Sequence, residues 1–594
     1  LAQALGYEHQ GSAGQTEGSI YMRSASAAFM RDYYAAIKSS LQMLEMALLR
    51  LQAQLLPPSP AQPLDADFEL QAGYLALRTP KTQPDWVWQA FSHYQLQPSI
   101  LGFSADTLRA FYRSQAQMGS DFYASASSRQ AFLRCLQAPQ GITRVLRRMN
   151  ACGFLAHYLP SFASTVGQVQ HDLMHAYTVD QHILLVLSFV RRFFVLQFAH
   201  EVPQCQGIAA HFDRPWVLYL AALFHDIAKG QGGDHSTLGA QAAQRFAQEH
   251  ALAAADAELL EFLVREHLSL SQVAQKQDLS APEVIAAFAQ KMGDLRHLQA
   301  LYLLTVADIR GTNPQLWTEW KAQLLHTLYL RSAQYLQGEK IKDEASVVAQ
   351  RQGQAQQELA RLALPHQAQA ALWRDLDAQY FLRFEAHEIA WHTRVLSKWL
   401  LQRGSAAVGS PSMAVFARRG AHQTGIELLV YALDASDLFA RICAFFDRAN
   451  LSVLDAKIYT TPKGWALDSF VLQSHDIPEH ERELLSMIEA ELLHDLQHQR
   501  PLPAAKGGRL SRRMRHFPLE PRLQWLSPLG QNTAELELSC ADRLGLLYAV
   551  ALAFAQVGVA LQSAKIVTLG ERVEDRFVIS GANLGAQQTR EQLG

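Results

Sequence analysis

"LYLAALFHDIAKGQGGDHSTLGA", residues 218–240, runs an apolar helix into a cluster of titratable groups. Residues 216–229 read as a helix that can be buried almost all round, with Gly230 suited to the position just past its end. His225, Asp226 and Lys229 then share a face of its last turn, at three- and four-residue spacing. Unpaired charge on a buried helix is costly. A divalent ion removes that cost for His225 and Asp226, because imidazole and carboxylate become its ligands. One such pair cannot complete a metal site, so more donors must come from other helices. The candidates are His182 in "VDQHILLVL", His235 in "GGDHSTLGA", His267 in "VREHLSLS" and Asp308 in "TVADIRGT". Each lies in or beside an apolar helical stretch, where a lone polar group needs a partner. A single helical histidine is most often just a core or surface residue, so only the set together points to a metal. Lys229 also suits a plain helix C-terminal charge, and His175 is a weaker candidate before His182.

A chain of 594 residues predicts several domains. Its apolar fraction of 49%, charged fraction of 18% and net charge of -2 are ordinary for a globular protein. That balance argues against nucleic acid or a membrane surface as the main partner, since both leave a basic excess. The five cysteines form no C-x-x-C pair, so neither a disulfide framework nor a cysteine zinc site is expected, and a reducing cytoplasm is. The most apolar run, "ILLVLSFV" at 183–190, stops at Arg191 and is too short to span a bilayer. A first residue of Leu rather than Met predicts a chain that lacks its true start.

Residues 22–56 and 105–400 read as mostly helical, with a break at "PPSPAQP" (57–63). "RGSAAVGSPS" at 403–412 reads as a linker, and "PLPAAKGG" at 501–508 as a second. Between them "IELLVYAL" (426–433) and "SVLDAKIYTT" (452–461) read as strands. The tail contains a repeat. "DAKI" at 455–458 recurs as "SAKI" at 563–566, and Asp434 recurs as Asp542 at the same offset. Asp468 recurs as Asp575, one residue short of it. Each copy reads strand, helix, strand, strand, so two βαββ units are expected, the second cut short near "TREQLG" (589–594).

His182, His225-Asp226 and Asp308 follow the H…HD…D order of the HD phosphohydrolase superfamily. The longer wording resembles one family within it, the bifunctional PII-protein uridylyltransferase/uridylyl-removing enzymes. It is carried by "GQVQHDLMHAYTVDQH" (167–182), "LFHDIAKGQGGDHSTLGA" (223–240) and "VREHLSLS" (264–271). The paired repeats resemble the tandem ACT domains that end that family, with the helix-start motif "DRLGLL" at 542–547. The resemblance implies an all-α HD-type metal phosphohydrolase core and helical linker region, followed by two α+β ferredoxin-like ACT domains. Residues 1–150 would be a mainly helical region, 151–400 the HD domain with a helical extension, and 413–500 and 509–594 the ACT domains. The family begins with a nucleotidyltransferase domain, which needs a Gly-Ser turn closely followed by Asp-x-Asp. Here "LDADF" (64–68) and "GSD" (119–121) come in the wrong order and read as surface turns. That domain is therefore expected to be missing.

The implied substrate is the trimeric signalling protein PII carrying UMP on a tyrosine, and the implied reaction is its hydrolysis to PII and UMP. His182, His225, Asp226 and Asp308 would hold a first Mg²⁺ or Mn²⁺. His235 and His267 would complete a second position, with Asp226 free to bridge. Lys229 would neutralise charge on the phosphate. The resemblance also implies glutamine sensing by the ACT units. The helix start after Gly545 can hold an α-carboxylate, and Asp542 can meet the α-amino group. In the first repeat Asp437 stands in the place of Gly545 and should repel that carboxylate. Two rival readings are a (p)ppGpp hydrolase, which also joins HD to ACT, and a non-catalytic amino-acid-sensing module.

Overall fold

The computed structural model describes residues 25–55, 60–79, 81, 84–169, 177–277, 279, 281–313, 317–338, 344–361, 366–404, 413–420, 425–474, 481–498, 501–504, 519–526, 533–541, 543, 545–566, 568–569, 572–581 and 584. The linker core at 405–412, His175, Asp542 and "TREQLG" lie outside them. The chain divides into two compact units, Leu1–Leu270 with Met292–Trp317, and Ser271–Lys291 with Thr318–Gly594. None of the described helices is long and apolar enough to cross a membrane.

In the first unit, the long helix Ala25–Leu55 precedes a small sheet that the mainly helical reading of 1–150 did not foresee. Strands β1 (Gln62–Pro63), β2 (Phe68–Gln71), β3 (Tyr74–Leu77) and β4 (Gly102–Phe103) pair in that order. The cause is local. Ala72 and Gly73 both take positive φ and close a two-residue hairpin, which sets Phe68 opposite Leu77. "LDADF" is the turn before it, where the Asp65 carboxylate accepts the backbone N–H groups of Asp67 and Phe68. Phe68, Leu75 and Phe103 are buried, as are Phe91 and Phe111 on the neighbouring helices.

Five further helices build the core of this unit: Val179–Phe193, Pro215–Phe224, His235–Glu249, Ala254–Glu266 and Leu295–Thr312. Pro215 starts the second of them at a position where its missing N–H costs nothing. Every residue from Val217 to Phe224 is buried, because neighbours surround this helix. The helix ends at Phe224, earlier than the 216–229 reading, and the chain turns tightly from His225 to Gly230. Gly230 has φ +76 and completes that turn. Asp234 caps the next helix by accepting from the N–H groups of Ser236 and Thr237. Two glycines let helices approach closely. A Cβ at Gly239 would lie 3.0 Å from Val264 Cγ1, and one at Gly311 would lie 2.7 Å from Val186 Cγ2.

The second unit combines helices with one nine-stranded sheet. Its strands are β5 (Ala414–Arg419), β6 (Ile426–Leu433), β7 (Leu451–Lys457), β8 (Trp465–Ser474), β9 (Arg522–Trp525), β10 (Thr533–Ala541), β11 (Ala560–Lys565), β12 (Thr568–Leu569) and β13 (Arg572–Ser580). The order β5-β6-β8-β7-β11-β13-β10-β9 is a palindrome of two equivalent halves. At its centre the repeated motif pairs with itself, with Ala456 opposite Ala564. Each half is a strand–helix–strand–strand core, with helices Leu438–Arg448 and Leu546–Val557. The edge strands β5 and β9 precede these cores and were not foreseen. One apolar core, including Val430, Ile442, Phe470, Leu536, Phe554 and Phe577, runs through both halves. On the other face of the first half, Leu429 and Leu467 pack with Tyr380, Phe384 and Leu396 of the preceding helices. Burial on both faces explains the apolar run 428–432 within β6. β10 instead alternates, with Ala534, Leu536 and Cys540 buried and Glu535 and Glu537 on the opposite face.

Candidate metal centre

The first unit brings His182, His225, Asp226, His235, His267 and Asp308 together from the ends or middles of five helices. His182 Nε2 lies 3.4 Å from Asp226 Oδ2 and 3.1 Å from Asp308 Oδ1. His225 Nε2 lies 3.5 Å and 3.6 Å from the same two atoms. The other carboxylate oxygen of Asp226 faces a second pair, at 3.7 Å from His235 Nε2 and 3.8 Å from His267 Nε2. Two triads capable of holding an ion therefore meet on Asp226, namely His182, His225 and Asp226, and Asp226, His235 and His267. The Lys229 ammonium donates to Asp226 Oδ2 at 2.7 Å.

His225 and His267 are placed by the same device. Each is the residue that ends its helix, and each donates Nδ1–H to the carbonyl three residues back, Ala222 at 2.9 Å and Val264 at 2.8 Å. That bond leaves the Nε2 lone pair aimed into the site. The Nε2 of His267 is buried and has no hydrogen-bond partner among the described residues. A buried lone pair of this kind suits a cation. These carbonyls were not marked in the sequence reading. A histidine closing an apolar helix, in both "LFHD" and "VREH", was the signal for them.

The electrostatics fit the same occupant. Burial alone pushes the His182 imidazole down, but the carboxylates of Asp226 and Asp308 against it hold it at about 9. Burial likewise opposes ionisation of Asp226, yet Lys229, His225 and His182 hold its carboxyl well below the usual range. Asp308 is held well below it by hydrogen bonds from His182 and His225, against its own burial. The point between these groups calls for positive charge. Burial pushes His267 down to about 4 and lowers His235, so both rings are neutral near pH 7. His182, His225, Asp226 and His267 are enclosed, whereas Lys229, His235 and Asp308 keep solvent access and line the open side.

In the second unit, Gly545 has φ +78 and starts the helix Leu546–Val557. Asp437, at its counterpart position, is bound to Arg441 at 2.6 Å.

The chain matches three family descriptions: "Uridylyltransferase GlnD third domain" over residues 68–158, "HD domain" over 179–293 and "Uridylyltransferase GlnD fifth domain" over 343–395. The HD match takes in five of the six clustered residues; Asp308 lies beyond its end. A bifunctional uridylyltransferase/uridylyl-removing enzyme of Thiobacillus denitrificans is 45% identical over 96% of this chain and 67% of its own length. One of Burkholderia lata is 44% identical over 100% of this chain and 68% of its own length. One of Burkholderia vietnamiensis is 44% identical over 96% and 66%. The chain thus spans about two thirds of the length of these relatives. It belongs to the family of bifunctional uridylyltransferase/uridylyl-removing enzymes.

Proposed function

We propose that this chain hydrolyses uridylyl-tyrosyl PII to PII and UMP in the cytoplasm, and that glutamine regulates it through the paired repeats, read as ACT domains. The observation that carries the reading is the meeting of two His/Asp triads on one buried carboxylate, Asp226. Mg²⁺ or Mn²⁺ suits such exchangeable imidazole and carboxylate donors. His182, His225, Asp226 and Asp308 would hold one ion, and Asp226, His235 and His267 a second. Bound there, the ions supply Lewis acidity toward a phosphodiester. Asp226 contributes an ionised carboxylate to both positions, and Lys229 keeps it ionised and oriented. The Lys229 ammonium, beside Asp226 on the open side, would offset charge gathering on the phosphate oxygens. The leaving phenolate of tyrosine has a conjugate acid of pKa about 10, so no strong general acid is needed. His235 and Lys229, on the open side, meet the substrate first.

The test is to mix the chain with uridylylated PII and Mn²⁺ and follow UMP. Release of UMP, abolished by chelation, is expected. Hydrolysis of ppGpp without release of UMP from PII would replace this reading with the (p)ppGpp hydrolase. These 594 residues, given UTP, Mg²⁺ and unmodified PII, are expected to attach no UMP, since they hold no Gly-Ser turn closely followed by Asp-x-Asp. Incorporation of UMP by the pure chain would refute that part.

A further inference from the structure

His182 sits in the first turn of its helix, Val179–Phe193, and its own N–H reaches back to the carbonyl of Thr178 at 2.9 Å. No earlier turn braces it, and the Thr178 side chain makes no cap. The helix start is instead docked on residues 165–168. Val179 N–H donates to the Gln168 carbonyl at 2.9 Å, and Asp180 N–H donates to the Thr165 carbonyl at 3.3 Å. The Asp180 carboxylate closes the clamp, because its Oδ1 accepts from Gly167 N–H at 3.2 Å.

Asp180 is 4% exposed and points away from the candidate metal centre, since residues two apart lie about 200° round a helix. Its Oδ2 accepts from Asn150 Nδ2 at 2.9 Å, and Asn150 Oδ1 accepts from Lys38 Nζ at 3.0 Å. Asn150 is buried near the end of the helix Ile142–Ala151, and Lys38 lies in the helix Ala25–Leu55. Burial lowers the Lys38 ammonium from its ordinary value, and the Asp180 carboxylate is the largest influence opposing that. One turn before Lys38 the same helix packs on Gly167, where a Cβ would lie 3.1 Å from Tyr34 Cβ. The clamp also reaches the turn after Asp226. Gln168 leaves no room for a Cβ at Gly230, and Gln231 Nε2 donates to Ser164 Oγ at 3.0 Å. Residues 164–168 thus brace both the helix of His182 and the turn that follows His225 and Asp226.

We propose that Asp180 is a positioning residue for the candidate metal centre, held in place by Asn150 and Lys38. The inference rests on the reading of His182 as a ligand and deepens it. It gives the Ala25–Leu55 helix, which lies outside all three matched family descriptions, a part in the site. Without the carboxylate, Gly167 N–H and Asn150 Nδ2 lose their acceptor. The first turn of the helix then frays, and His182 leaves its place beside Asp226 and Asp308.

The experiment compares the full chain with Asp180→Asn, with the double change of Asn150→Asp and Asp180→Asn, and with Lys38→Met. In Asp180→Asn two amide nitrogens meet, and one hydrogen bond of the relay is lost. The double change restores the pattern. A carboxylate at 150 accepts from Lys38 and from the amide at 180, whose oxygen still accepts from Gly167. Three quantities are read: the thermal midpoint, the Mn²⁺ dissociation constant of the folded chain, and amide exchange without metal in peptides covering 160–169 and 177–184. Asp180→Asn should weaken Mn²⁺ binding about tenfold, the lower end of what residues supporting a ligand carry, and speed exchange in both peptides. The double change should return both readouts toward wild type. Lys38→Met, at the outer end of the relay, should shift both the same way by less, and it decides the matter if Asp180→Asn does not fold. A folded Asp180→Asn chain with a lower thermal midpoint but wild-type Mn²⁺ affinity would show a purely structural role and overturn the proposal. So would a folded double variant that fails to recover, or wild-type affinity and exchange in Lys38→Met. If the wild-type chain binds no Mn²⁺, the reading of the metal centre falls, while exchange in the metal-free chain still decides the clamp.

Discussion

Replacing Asp226 with Asn should remove both candidate ion positions at once, whereas changing any one histidine should remove only one. The side chain keeps its size, so the change is in charge. The Asp226 carboxylate faces His182 and His225 through one oxygen, at 3.4 and 3.5 Å, and His235 and His267 through the other, at 3.7 and 3.8 Å. Residues that merely support a metal ligand carry about 10- to 100-fold in affinity. A carboxylate shared directly by two positions should therefore cost at least about 100-fold at each, or about 2.7 kcal/mol per position at 1.36 kcal/mol per decade. Loss at both should lower UMP release by at least about a thousandfold. The fold carries a smaller burden. Lys229 loses the carboxylate charge at 2.7 Å but keeps solvent access, so the cost sits at the low end of the roughly 3–5 kcal/mol for a broken buried pair. Mn²⁺ titration by calorimetry gives the stoichiometry, and circular dichroism gives the fold. The wild-type chain should bind two ions, His182→Gln and His267→Gln one each, and Asp226→Asn none at the same concentrations. Two ions bound by a folded Asp226→Asn chain, or turnover within about tenfold of wild type, would refute the shared-carboxylate reasoning.

Gly545→Leu should blunt the glutamine response and spare basal UMP release. A side chain at φ +78 costs about 1 kcal/mol or more and crowds the helix start; an unchanged response across a glutamine titration would sink that assignment. Gly311→Ala should lower stability by about 1–3 kcal/mol, because its methyl group meets Val186 Cγ2 at 2.7 Å. Adding Val186→Ala should recover part of that loss in urea unfolding, and no recovery would show that the clash lies elsewhere. His392 is fully buried, accepts from the Tyr380 hydroxyl at 3.0 Å, and is pushed down to about 3 by burial. The folded chain keeps this ring neutral, while the unfolded chain protonates it below about 6.5. Its contribution is full above that pH and is lost as pH falls toward the folded value, reaching about 2–3 kcal/mol at pH 4.5. Urea midpoints at pH 7 and 4.5 should converge in His392→Gln, and an equally steep acid limb in that variant would refute the assignment.

Much of the architecture was legible because periodicity is a local property. The stretch 216–229 read as a helix buried almost all round, and the match of "DAKI" to "SAKI" announced two like units before any strand was placed. The six clustered groups were legible for a related reason: each lay in or beside an apolar helical stretch, and such a group must find a partner. Turns and edges were less legible. The hairpin at Ala72-Gly73 hid inside a stretch without strong turn residues, and the helix end at Phe224 is set by how the His225 ring bonds back to Ala222. Partnership was the part that sequence order could not contain. Nothing in the spacing of Asp308, far along the chain and past the HD match, says that it meets His182; the close crossing at Gly311 and Val186 does that. Nor does a repeat imply that its two copies pair through the repeated residues, which Ala456 and Ala564 do. The sequence by itself determined which residues carry charge into the core and which segments are helix or strand, because those follow from local pattern and the cost of burial. Only the tertiary structure decided that Asp226 faces two triads and that Ala456 meets Ala564, because such contacts depend on the packing of helices and strands distant in sequence.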